Sequence, residues 1–585
     1  MSDLAETDVA PGTAAELEET AELEAVTELE TVSGLETAAE LETAVDPETA
    51  EPEAGAEAGE TASGPPRTAL QAARDRKADE IRRDRAERYD RRRKWIARGI
   101  VAAAIAVNAM FSLRLQNTTF MDEADYIAAG HLQLDHLLHG VPETVGFENY
   151  FSGVPVLYPV LAALLDSVGG LVAVRLFSLL CIAGAMLLLY SFTRRLFNER
   201  VACCAVAVYA IVEPTIFLAN FATFDAPVLF LLAFALWIVV FGARTRRPWY
   251  LFAIPVLALA VGFKYFALVF TLPTAAVAGI VAASFLGARA LWRSAVVMLG
   301  TLGVIAGAAA AGGHQFFHGA LANLTRVHGT VPAAHILSLS EKWVGLPAAL
   351  GVIGAVCYAV RARTELSVAE SEHKPHLAVR IALGVVLAGT AFVPTLSALR
   401  ISSTESLNRH VGYGLLFAAP MMGIGLARII ADHFRRIQIG IAVWIVLLVF
   451  GVQQATVQYT SWLDLTPVNN ALAAYYHPGD RVLVDVYEPP IYYLHAWDDW
   501  SNWTSGFSMR YRAASGKVLW GEQAYEQAVK DGYFDVIATD KSNGTTISYT
   551  KLMNVISASN KYRLVAVLPM GAHTAPYYVW LKQRR

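Results

Sequence analysis

Two adjacent carboxylates follow closely after the first strongly apolar stretch of the chain. They are Asp122 and Glu123, in the sequence Phe-Met-Asp-Glu-Ala-Asp-Tyr that ends at Tyr126. If this segment is helical, Tyr126 lies one turn beyond Asp122 on the same face. Because charge at the edge of a hydrocarbon layer costs free energy, a carboxylate pair here indicates a functional site, with a solvated loop as the alternative.

Other charged residues interrupt apolar stretches further along the chain. Asp225 precedes Pro227, where it belongs either to a site or to the cap of a helix. Lys264 and the pair Arg409 and His410 are suited to a phosphate, although a lysine that snorkels and an arginine that flanks a helix are ordinary alternatives. Two acids and two cations at one membrane surface favour displacement of a lipid-linked phosphate: the cations would stabilise the leaving phosphate, and a carboxylate would take the proton of an acceptor hydroxyl.

The composition indicates a membrane protein with many spans. Of 585 residues, 55% are hydrophobic and only 17% are charged, and the mean hydropathy is +0.39. The four cysteines all fall in apolar stretches, which predicts small core residues and no disulfide framework. Apolar runs long enough to cross a bilayer as helices predict eleven spans, near residues 95–113, 170–192, 201–219, 225–242, 249–263, 265–285, 294–311, 343–360, 379–396, 411–428 and 437–457.

The first ninety-odd residues change sharply in charge. Residues 1–66 contain 19 Asp and Glu and no Lys or Arg, which predicts a disordered acidic tail. Since the whole chain has a net charge of −5, the remainder carries +14. Residues 67–94 form a basic juxtamembrane segment, and the range 67–98 is expected to contact anionic lipid headgroups on the cytoplasmic side.

The charge of the loops predicts the orientation of the protein in a plasma membrane. Arginines cluster in alternate loops, which places the N-terminus inside and the residues described above on the extracytoplasmic side. Residues 460–585 differ in pattern and predict a small extracytoplasmic α/β domain. Its β-rich runs are Arg481–Val486, Phe534–Thr539, Tyr562–Leu568 and Tyr577–Leu581.

Several short motifs occur in a characteristic order. They are Asp-Glu-Ala-Asp-Tyr at 122–126, Leu-Tyr-Pro at 157–159, Arg175 ahead of Arg-Arg-Leu-Phe at 194–197, Thr-Phe-Asp-Ala-Pro at 223–227, Gly-Phe-Lys at 262–264, and the segment from Arg409 to Pro420. In these motifs the chain resembles the GT-C glycosyltransferases that use polyprenyl-phosphate sugars. The similar branch contains protein O-mannosyltransferases and lipid A aminoarabinose transferases.

The resemblance implies a role for each candidate residue. Residues 95–459 would form a GT-C-like transmembrane catalytic domain, with Asp122 as the catalytic base. Lysine and arginine near the outer surface bind the lipid phosphate in the family, which implies Lys264 and Arg409. His410 departs from the family pattern, in which a tyrosine often follows the arginine. The predicted sites are therefore catalytic Asp122, Glu123 and Asp225, and donor phosphate-binding Lys264, Arg409, His410 and Tyr126.

The sequence also contains histidines that could bind a metal ion and tryptophans that could contact a sugar. His131, Asp135 and His139 form a helical stripe, and His314 and His318 repeat its spacing, so a divalent cation could bind, although interfacial histidines are commoner. We therefore predict no metal ligand and no certain cofactor. In the C-terminal domain, the tryptophans near 495–503 either stack on sugar rings or fill the core.

The sequence thus predicts a glycosyltransferase that moves one sugar from a polyprenyl phosphate to a glycan, lipid or protein acceptor outside the cell, with inversion implied by the family. No nucleic acid is expected as a partner. A flippase or transporter whose charges line a path is the first alternative. A catalytically inactive scaffold of the same family is the second.

Overall fold

The computed structural model describes a mostly helical chain with a small sheet domain near its C-terminus. The described residues are 69–142, 145–149, 151–312, 319, 321, 329–360, 376–431, 435–540, 548–570 and 575–583. The chain divides into two compact units, Met1–Arg83 and Asp84–Arg585. The acidic tail predicted for residues 1–66 lies outside the described residues.

The second unit contains a helical bundle and the sheet domain. The helices up to residue 459 are α1 (Ala69–Ser112, which begins in the first unit), α2 (Met121–His139), α3 (Tyr158–Leu196), α4 (Glu199–Tyr209), α5 (Glu213–Leu218), α6 (Asp225–Gly242), α7 (Ala253–Phe263), α8 (Ala267–Leu286), α9 (Trp292–Ala311), α10 (Ala333–Val360), α11 (Leu377–Gly389), α12 (Val393–Ile401), α13 (Leu407–Ile430) and α14 (Ile437–Tyr459).

Nine helices within the described residues are long and apolar enough to cross a membrane. Each coincides with one of the eleven predicted spans, so the protein is a multi-pass membrane protein. The two other predicted spans are also helical, but they are interrupted or short. The stretch 201–219 is divided between α4 and α5, and 249–263 corresponds to the shorter apolar helix Trp249–Phe263.

Helix α3 bends at two consecutive glycines. The backbone leaves helical geometry at Gly169 and Gly170, and Gly170 has φ of +62°, a conformation that favours glycine. The part of α3 after the bend corresponds to the span predicted at 170–192. The bend therefore marks the start of that membrane span.

The centre of the bundle is formed by α13 and α6. In the most apolar windows of these two helices, 83% and 72% of residues are buried, whereas the figure for α9 and its preceding turn is 11%. An apolar helix in a membrane can be surrounded by lipid or by protein, and these two are surrounded largely by protein. Since Arg409 lies in the first turn of α13 and Asp225 in the first turn of α6, both charges are placed at the ends of central helices.

The C-terminal domain is a small α/β unit, as predicted. Its elements are α15 (Thr466–Tyr475), β1 (Val482–Val484), α16 (Glu488–Tyr493), β2 (Trp503–Ser505), β3 (Arg510–Arg512), β4 (Val518–Trp520), α17 (Glu522–Asp531), β5 (Val536–Thr539), α18 (Tyr549–Ser559), β6 (Tyr562–Leu568) and β7 (Tyr577–Lys582). The main sheet has the order β2-β1-β5-β7-β6, with β2, β1 and β5 parallel and β7 antiparallel to both neighbours. Strands β1 and β5 are wholly buried, and apart from Thr539 they are apolar, as expected for the parallel centre of a sheet.

Helix α2 lies between the bundle and the C-terminal domain. Its residues Ala124, Ile127 and Ala128 are fully buried in a hydrophobic cluster that also contains Val482 and Ile491 of the sheet domain. Aliphatic burial of this kind contributes roughly 25 cal/mol per Å² of apolar surface removed from water. The first turn of α2, which carries the two predicted carboxylates, is therefore fixed from both sides.

Candidate active site

Asp122 lies in the first turn of α2 and pairs with a residue from the central helix of the bundle. Its Oδ2 accepts a hydrogen bond from Nη1 of Arg409 at 2.5 Å. The guanidinium of Arg409 also lies over the ring of Phe221, 5.7 Å from its centroid. The Asp122 side chain keeps 26% of its surface exposed and the Arg409 side chain 13%, so this ion pair remains within reach of a ligand.

Glu123, the next residue, is held in a different way. It is fully buried, and its carboxylate accepts hydrogen bonds from Nε and Nη2 of Arg175 at 3.0 and 2.7 Å. The backbone N–H of Ala222 donates at 2.7 Å, and that of Phe120 donates at 3.0 Å. Four donors therefore hold this carboxylate in the interior, where it joins α2 to α3 and to the segment before α6.

Asp225 and Lys264 form a second ion pair. The Lys264 ammonium donates to Oδ1 of Asp225, and both side chains are buried. The hydroxyl of Tyr413 donates to the same oxygen at 2.8 Å, and the hydroxyl of Thr223 donates to Oδ2 at 3.0 Å. Lys264 stands where α7 ends and before α8 begins, and its ammonium lies 4.8 Å from the centroid of the Phe224 ring. Lys264 therefore contacts Asp225 from the break between α7 and α8.

The two ion pairs form one charged cluster, which we define as Asp122, Arg409, Asp225 and Lys264. Asp225 interacts electrostatically with Arg409 as well as with Lys264, and Lys264 interacts with Asp122. The structure therefore brings together four of the seven site residues that the sequence predicted. Two positive and two negative charges balance in the absence of a ligand, and a bound phosphate would share the two cations with the carboxylates.

The other two predicted phosphate-binding residues are packed against aromatic rings. The His410 ring stacks on Phe266, with centroids 3.7 Å apart and an angle of 12° between the planes. Tyr126 lies in a group of rings, 4.9 Å from Phe151 and 4.7 Å from Phe224. Burial, followed by the charge of Asp122, raises the pKa of Tyr126 well above its usual range. Both residues support the walls around the charged cluster.

Two further carboxylates, which were not among the predicted site residues, approach Asp122. Asp125 lies one turn further along α2, and Glu488 is the first residue of α16 in the C-terminal domain. One oxygen of each is buried and finds no hydrogen-bond partner among the described residues. Burial and the charge of Glu488 raise the pKa of Asp125 well above its usual range, and burial and the charge of Asp122 raise the pKa of Glu488 to about 7. The spacing of Asp122 and Asp125 could have identified Asp125 as a site residue from the sequence alone. Nothing in the sequence indicates that Glu488 lies near them.

The histidine stripe has other partners. Nε2 of His131 lies 2.9 Å from Oδ2 of Asp166, and its ring stacks on Trp497 at 4.5 Å between centroids. His139 pairs at 3.3 Å with Asp135 on the exposed face of α2. Within the described residues there is no group of three or more His, Cys, Asp or Glu side chains arranged to hold a metal ion. The histidines at 314 and 318 lie outside the described part of the chain.

The tryptophans of the C-terminal domain fill its core. Trp500 and Trp503 are 6% and 5% exposed, and Trp503 packs against Tyr476 at 5.1 Å between centroids. Trp500 meets Phe147 edge to face at 5.5 Å. For these two residues, the interpretation as core is therefore right and a sugar-stacking platform is not formed.

One protein-family model matches part of the chain. It is described as dolichyl-phosphate-mannose-protein mannosyltransferase, and the match covers residues 153–311. This segment includes Arg175, Asp225 and Lys264 but neither Asp122 nor Arg409. A search of the curated proteins gave no match.

Several solved structures match this chain at low sequence identity. The oligosaccharyltransferase AglB of Archaeoglobus fulgidus, in complex with an inhibitory peptide and a dolichol-phosphate, has a TM-score of 0.50 at 12% identity, over 83% of this chain and 74% of that one. ArnT of Cupriavidus metallidurans, bound to undecaprenyl phosphate, has a TM-score of 0.38 at 12% identity, over 82% and 97%. The arabinofuranosyltransferase AftD from Mycobacteria has a TM-score of 0.45 at 14% identity, over 82% and 41%. The resemblance to the GT-C superfamily that the motifs predicted is confirmed, and with it the helical membrane fold.

Proposed function

We propose that this protein is a membrane glycosyltransferase that transfers a sugar from a polyprenyl-phosphate donor to a hydroxyl group of an acceptor. The observation that carries the proposal is the charged cluster, in which the partly exposed pair of Asp122 and Arg409 adjoins the buried pair of Asp225 and Lys264. It supplies both a base and the cations that a phosphate needs. The match to the mannosyltransferase model and the dolichol-phosphate in the AglB complex support a donor of this class.

The donor phosphate is assigned to Arg409, with Lys264 behind it. A guanidinium has five N–H donors, and one nitrogen of Arg409 is engaged with Asp122, so others can turn to a phosphate. As the bond between the sugar C1 and the phosphate oxygen breaks, the electron pair leaves with the polyprenyl phosphate. Fixed cations in a site with little water stabilise this developing charge.

Asp122 is assigned as the base. The acceptor oxygen forms the new bond to C1 as the old one breaks, and its proton passes to the Asp122 carboxylate. A single displacement of this kind inverts the configuration at C1. Glu123 is assigned a positioning role, because its four hydrogen bonds hold the first turn of α2 and occupy its oxygens. Asp225 positions Lys264 in the same way.

The charged cluster and the C-terminal domain are assigned to the extracytoplasmic face, with the N-terminus in the cytoplasm. Support comes from the arginine-rich loops, which follow the positive-inside rule under this orientation. These arginines are Arg194, Arg195, Arg200, Arg244, Arg246, Arg247, Arg289, Arg293, Arg361, Arg363, Arg428, Arg435 and Arg436. The basic segment 67–94, most of which lies in the first part of α1, would then contact anionic headgroups on the same side.

The test uses the purified protein in lipid nanodiscs with a panel of labelled polyprenyl-phosphate monosaccharides. The measured quantity is the release of free polyprenyl phosphate, with cell-envelope extract added as acceptor. We expect one donor to be consumed and Asp122→Asn to reduce its turnover by about 10²–10⁴-fold, the usual contribution of a general base.

The matched control is Asp135→Asn on the same helix, where the carboxylate is exposed and pairs only with His139 among the described residues. This variant should retain full turnover. Unchanged turnover in Asp122→Asn would remove Asp122 as the base. Binding of a donor without its consumption in nanodiscs, together with its transfer to the opposite leaflet when the protein is placed in sealed liposomes, would favour the flippase instead.

A further inference from the structure

A groove runs along the helical bundle away from the charged cluster. It encloses about 720 Å³ and is lined by side chains of α1, α4, α13 and α14. A volume of this size is typical of pockets that hold a ligand. On α13 the groove meets Leu426 and Ile430, whereas Arg409 lies in the first turn of the same helix. At 1.5 Å per residue, Arg409 and Ile430 are roughly 30 Å apart along α13, so the groove is a separate feature.

Small side chains create the space between the lining helices. Ala103 of α1, Ala207 of α4 and Gly440 of α14 all line the groove. Gly440 lets α14 lie close to α13, because a Cβ atom there would be 2.3 Å from Cγ1 of Ile430. The indole nitrogen of Trp444 donates to the carbonyl oxygen of Ala207 at 2.9 Å, which attaches α14 to α4. The helices are therefore held together around a concave and largely apolar surface.

The groove opens towards the outside of the bundle. Four of its lining isoleucines are exposed, namely Ile96 and Ile100 of α1 and Ile437 and Ile441 of α14. In a membrane protein such side chains face the hydrocarbon of the bilayer, so their exposure alone is ordinary. The concave shape is what matters, because a chain lying in a groove gains dispersion contacts on several sides at once. The apolar part of the groove therefore suits a lipid acyl chain.

Charged residues line one end of the groove, which we call the basic end and define as Arg93, Glu199 and Arg200. Nε of Arg93 lies 3.5 Å from Oε2 of Glu199, and the Arg93 side chain keeps 52% of its surface exposed. Oε1 of Glu199 also lies 3.8 Å from Nη1 of Arg194. Two arginines thus share one carboxylate, and Arg200 adds a further positive charge.

Arg200 is fixed at the C-terminal end of α13. Its Nη2 donates to the carbonyl oxygen of Ala427 at 2.9 Å and to that of Ala431. Arg436, which is exposed, directly precedes the lining residue Ile437 at the start of α14. Arginines from three parts of the chain therefore meet at this end of the groove. Guanidinium groups gathered in this way suit the phosphate of a lipid headgroup.

The basic end lies at the level expected for lipid headgroups. Trp95, two positions after Arg93 on α1, is exposed, and exposed tryptophans are characteristic of the membrane interface. Val107 is the last residue of α1 that lines the groove, and it lies roughly 21 Å along the helix from Arg93. Since one leaflet supplies half of a hydrocarbon layer about 30 Å thick, the groove is long enough for the acyl chain of one leaflet.

We propose that this groove binds an anionic phospholipid, with the phosphate at the basic end and one acyl chain between α1 and α14. A headgroup with a net negative charge complements the arginines, whereas a zwitterionic headgroup also brings a positive charge towards them. Because the groove lies at the opposite end of α13 from Arg409, it is distinct from the proposed donor site. The bound lipid would join α1 to the helices beside it and so stabilise the bundle.

The experiment measures lipid binding to the full-length protein, purified in detergent and freed of lipid. Phosphatidylglycerol and phosphatidylcholine with identical acyl chains are compared by native mass spectrometry, and the unfolding temperature is followed as each is added. We expect saturable binding of phosphatidylglycerol that phosphatidylcholine does not reproduce. The unfolding temperature should rise with the logarithm of phosphatidylglycerol concentration, because a ligand that binds only the folded state stabilises it by mass action.

Two pairs of variants connect this binding to the groove. Ala103→Trp places an indole within the groove and should abolish the preference for phosphatidylglycerol. Its matched control is Ala102→Trp, at the neighbouring exposed position outside the groove, which should keep that preference. Arg93→Gln removes a charge from the basic end and should weaken phosphatidylglycerol binding at least several-fold. Arg92→Gln, an exposed position outside the groove, should have a smaller effect.

Three results would overturn the proposal. Equal binding of the two lipids would mean that the arginines do not select the headgroup. Undiminished phosphatidylglycerol binding in Ala103→Trp would place the lipid elsewhere on the protein. A dimer that forms without lipid and is lost in Ala103→Trp but not in Ala102→Trp would mean that a second copy of the chain occupies the groove. None of these measurements uses glycosyl transfer, so this proposal and the proposed function can fail separately.

Discussion

Asp122 and Glu123 are consecutive in the chain, yet their carboxylates are bound by arginines from different helices. Arg409 of α13 reaches the partly exposed Asp122, and Arg175 of α3 reaches the fully buried Glu123. Neutralising Asp122 should therefore lower turnover, and neutralising Glu123 should lower the stability of the fold. The two predictions differ although the residues are neighbours of similar type.

Glu123→Gln should destabilise the fold, because a neutral amide cannot balance the buried guanidinium of Arg175. Loss of one partner of a buried ion pair costs about 3–5 kcal/mol. The measurement is the unfolding temperature of the purified protein, with Asp122→Asn as the matched change at the exposed pair. The double variant Glu123→Gln with Arg175→Met should recover part of the loss, since no buried charge remains unpaired. If it is no more stable than Glu123→Gln, the destabilisation has another source.

Lys264→Met should weaken donor binding. A charge-assisted hydrogen bond contributes about 1.5–3 kcal/mol, which corresponds to roughly a tenfold to hundredfold loss of affinity. The measurement is a titration with labelled polyprenyl phosphate. Since Lys264→Met leaves Asp225 unpaired, the same titration should be made with Asp225→Asn and Lys264→Met combined, which should bind equally weakly.

The control for this prediction is Tyr413→Phe. It removes the 2.8 Å hydrogen bond to Asp225 and keeps the ring and the ion pair. The expected effect is about 1 kcal/mol on stability and little effect on donor affinity. Undiminished affinity in the Lys264 variants would exclude Lys264 from the phosphate site.

Glu488 should make the stability depend on pH. Its pKa is raised from a usual value of 4.5 to about 7 by burial and by Asp122, so the folded state keeps a proton that the unfolded chain releases. Stability therefore falls as pH rises from about 4.5 to about 7 and is level above that range. Glu488→Gln should be more stable than the unaltered protein above pH of about 7, and this advantage should shrink towards the lower end of the range.

The matched change for the pH experiment is Glu526→Gln on α17. Glu526 is a surface residue that pairs with Lys530 at 3.4 Å. The unfolding temperatures of Glu526→Gln should follow those of the unaltered protein across the whole pH range. If Glu488→Gln behaves in the same way as this control, the raised pKa of Glu488 is contradicted.

Gly130→Ala should loosen α2 from α3. An added Cβ would lie 2.0 Å from the carbonyl oxygen of Pro159, and overpacking of this kind typically costs about 1–3 kcal/mol. The matched change is Gly99→Ala in α1, where a Cβ would meet no atom within 4 Å; it should stabilise the helix by about 0.5–1 kcal/mol. Both variants are compared by thermal unfolding. A neutral effect at Gly130 would contradict the close crossing.

Predictions from the sequence agree best with the structure where a single physical signal determines the element, as it does for the membrane helices. Apolar length marks a membrane helix without any knowledge of its neighbours, and for that reason every predicted span coincides with helix in the structure. The stretch 201–219 shows the limit of this signal. Its apolar residues continue across the break before Glu213, so the composition gives no sign of the interruption, although Pro214 is a residue that commonly begins a helix.

The partners within the site could not be predicted from spacing. Asp122 and Arg409 are separated by 287 positions, and Glu488 reaches the site from a separate domain. A sequence shows that a charge lies at the end of an apolar run, but it does not show which other charge it meets. The same holds for Arg175, which was noted as a motif residue, while its bidentate contact with Glu123 depends on how α3 packs on α2.

The position of α2 limits how this protein can exchange parts with its relatives. The helix buries one face against the bundle and contributes to the same hydrophobic cluster as the sheet domain, where Tyr492 also donates to Asp166 of α3 at 2.7 Å. Recombination at residue 460 would therefore join surfaces that were not selected for each other. Functional chimeras are expected only when residues 121–139 and the C-terminal domain are inherited together, so the two distant segments should behave as a single unit of evolution.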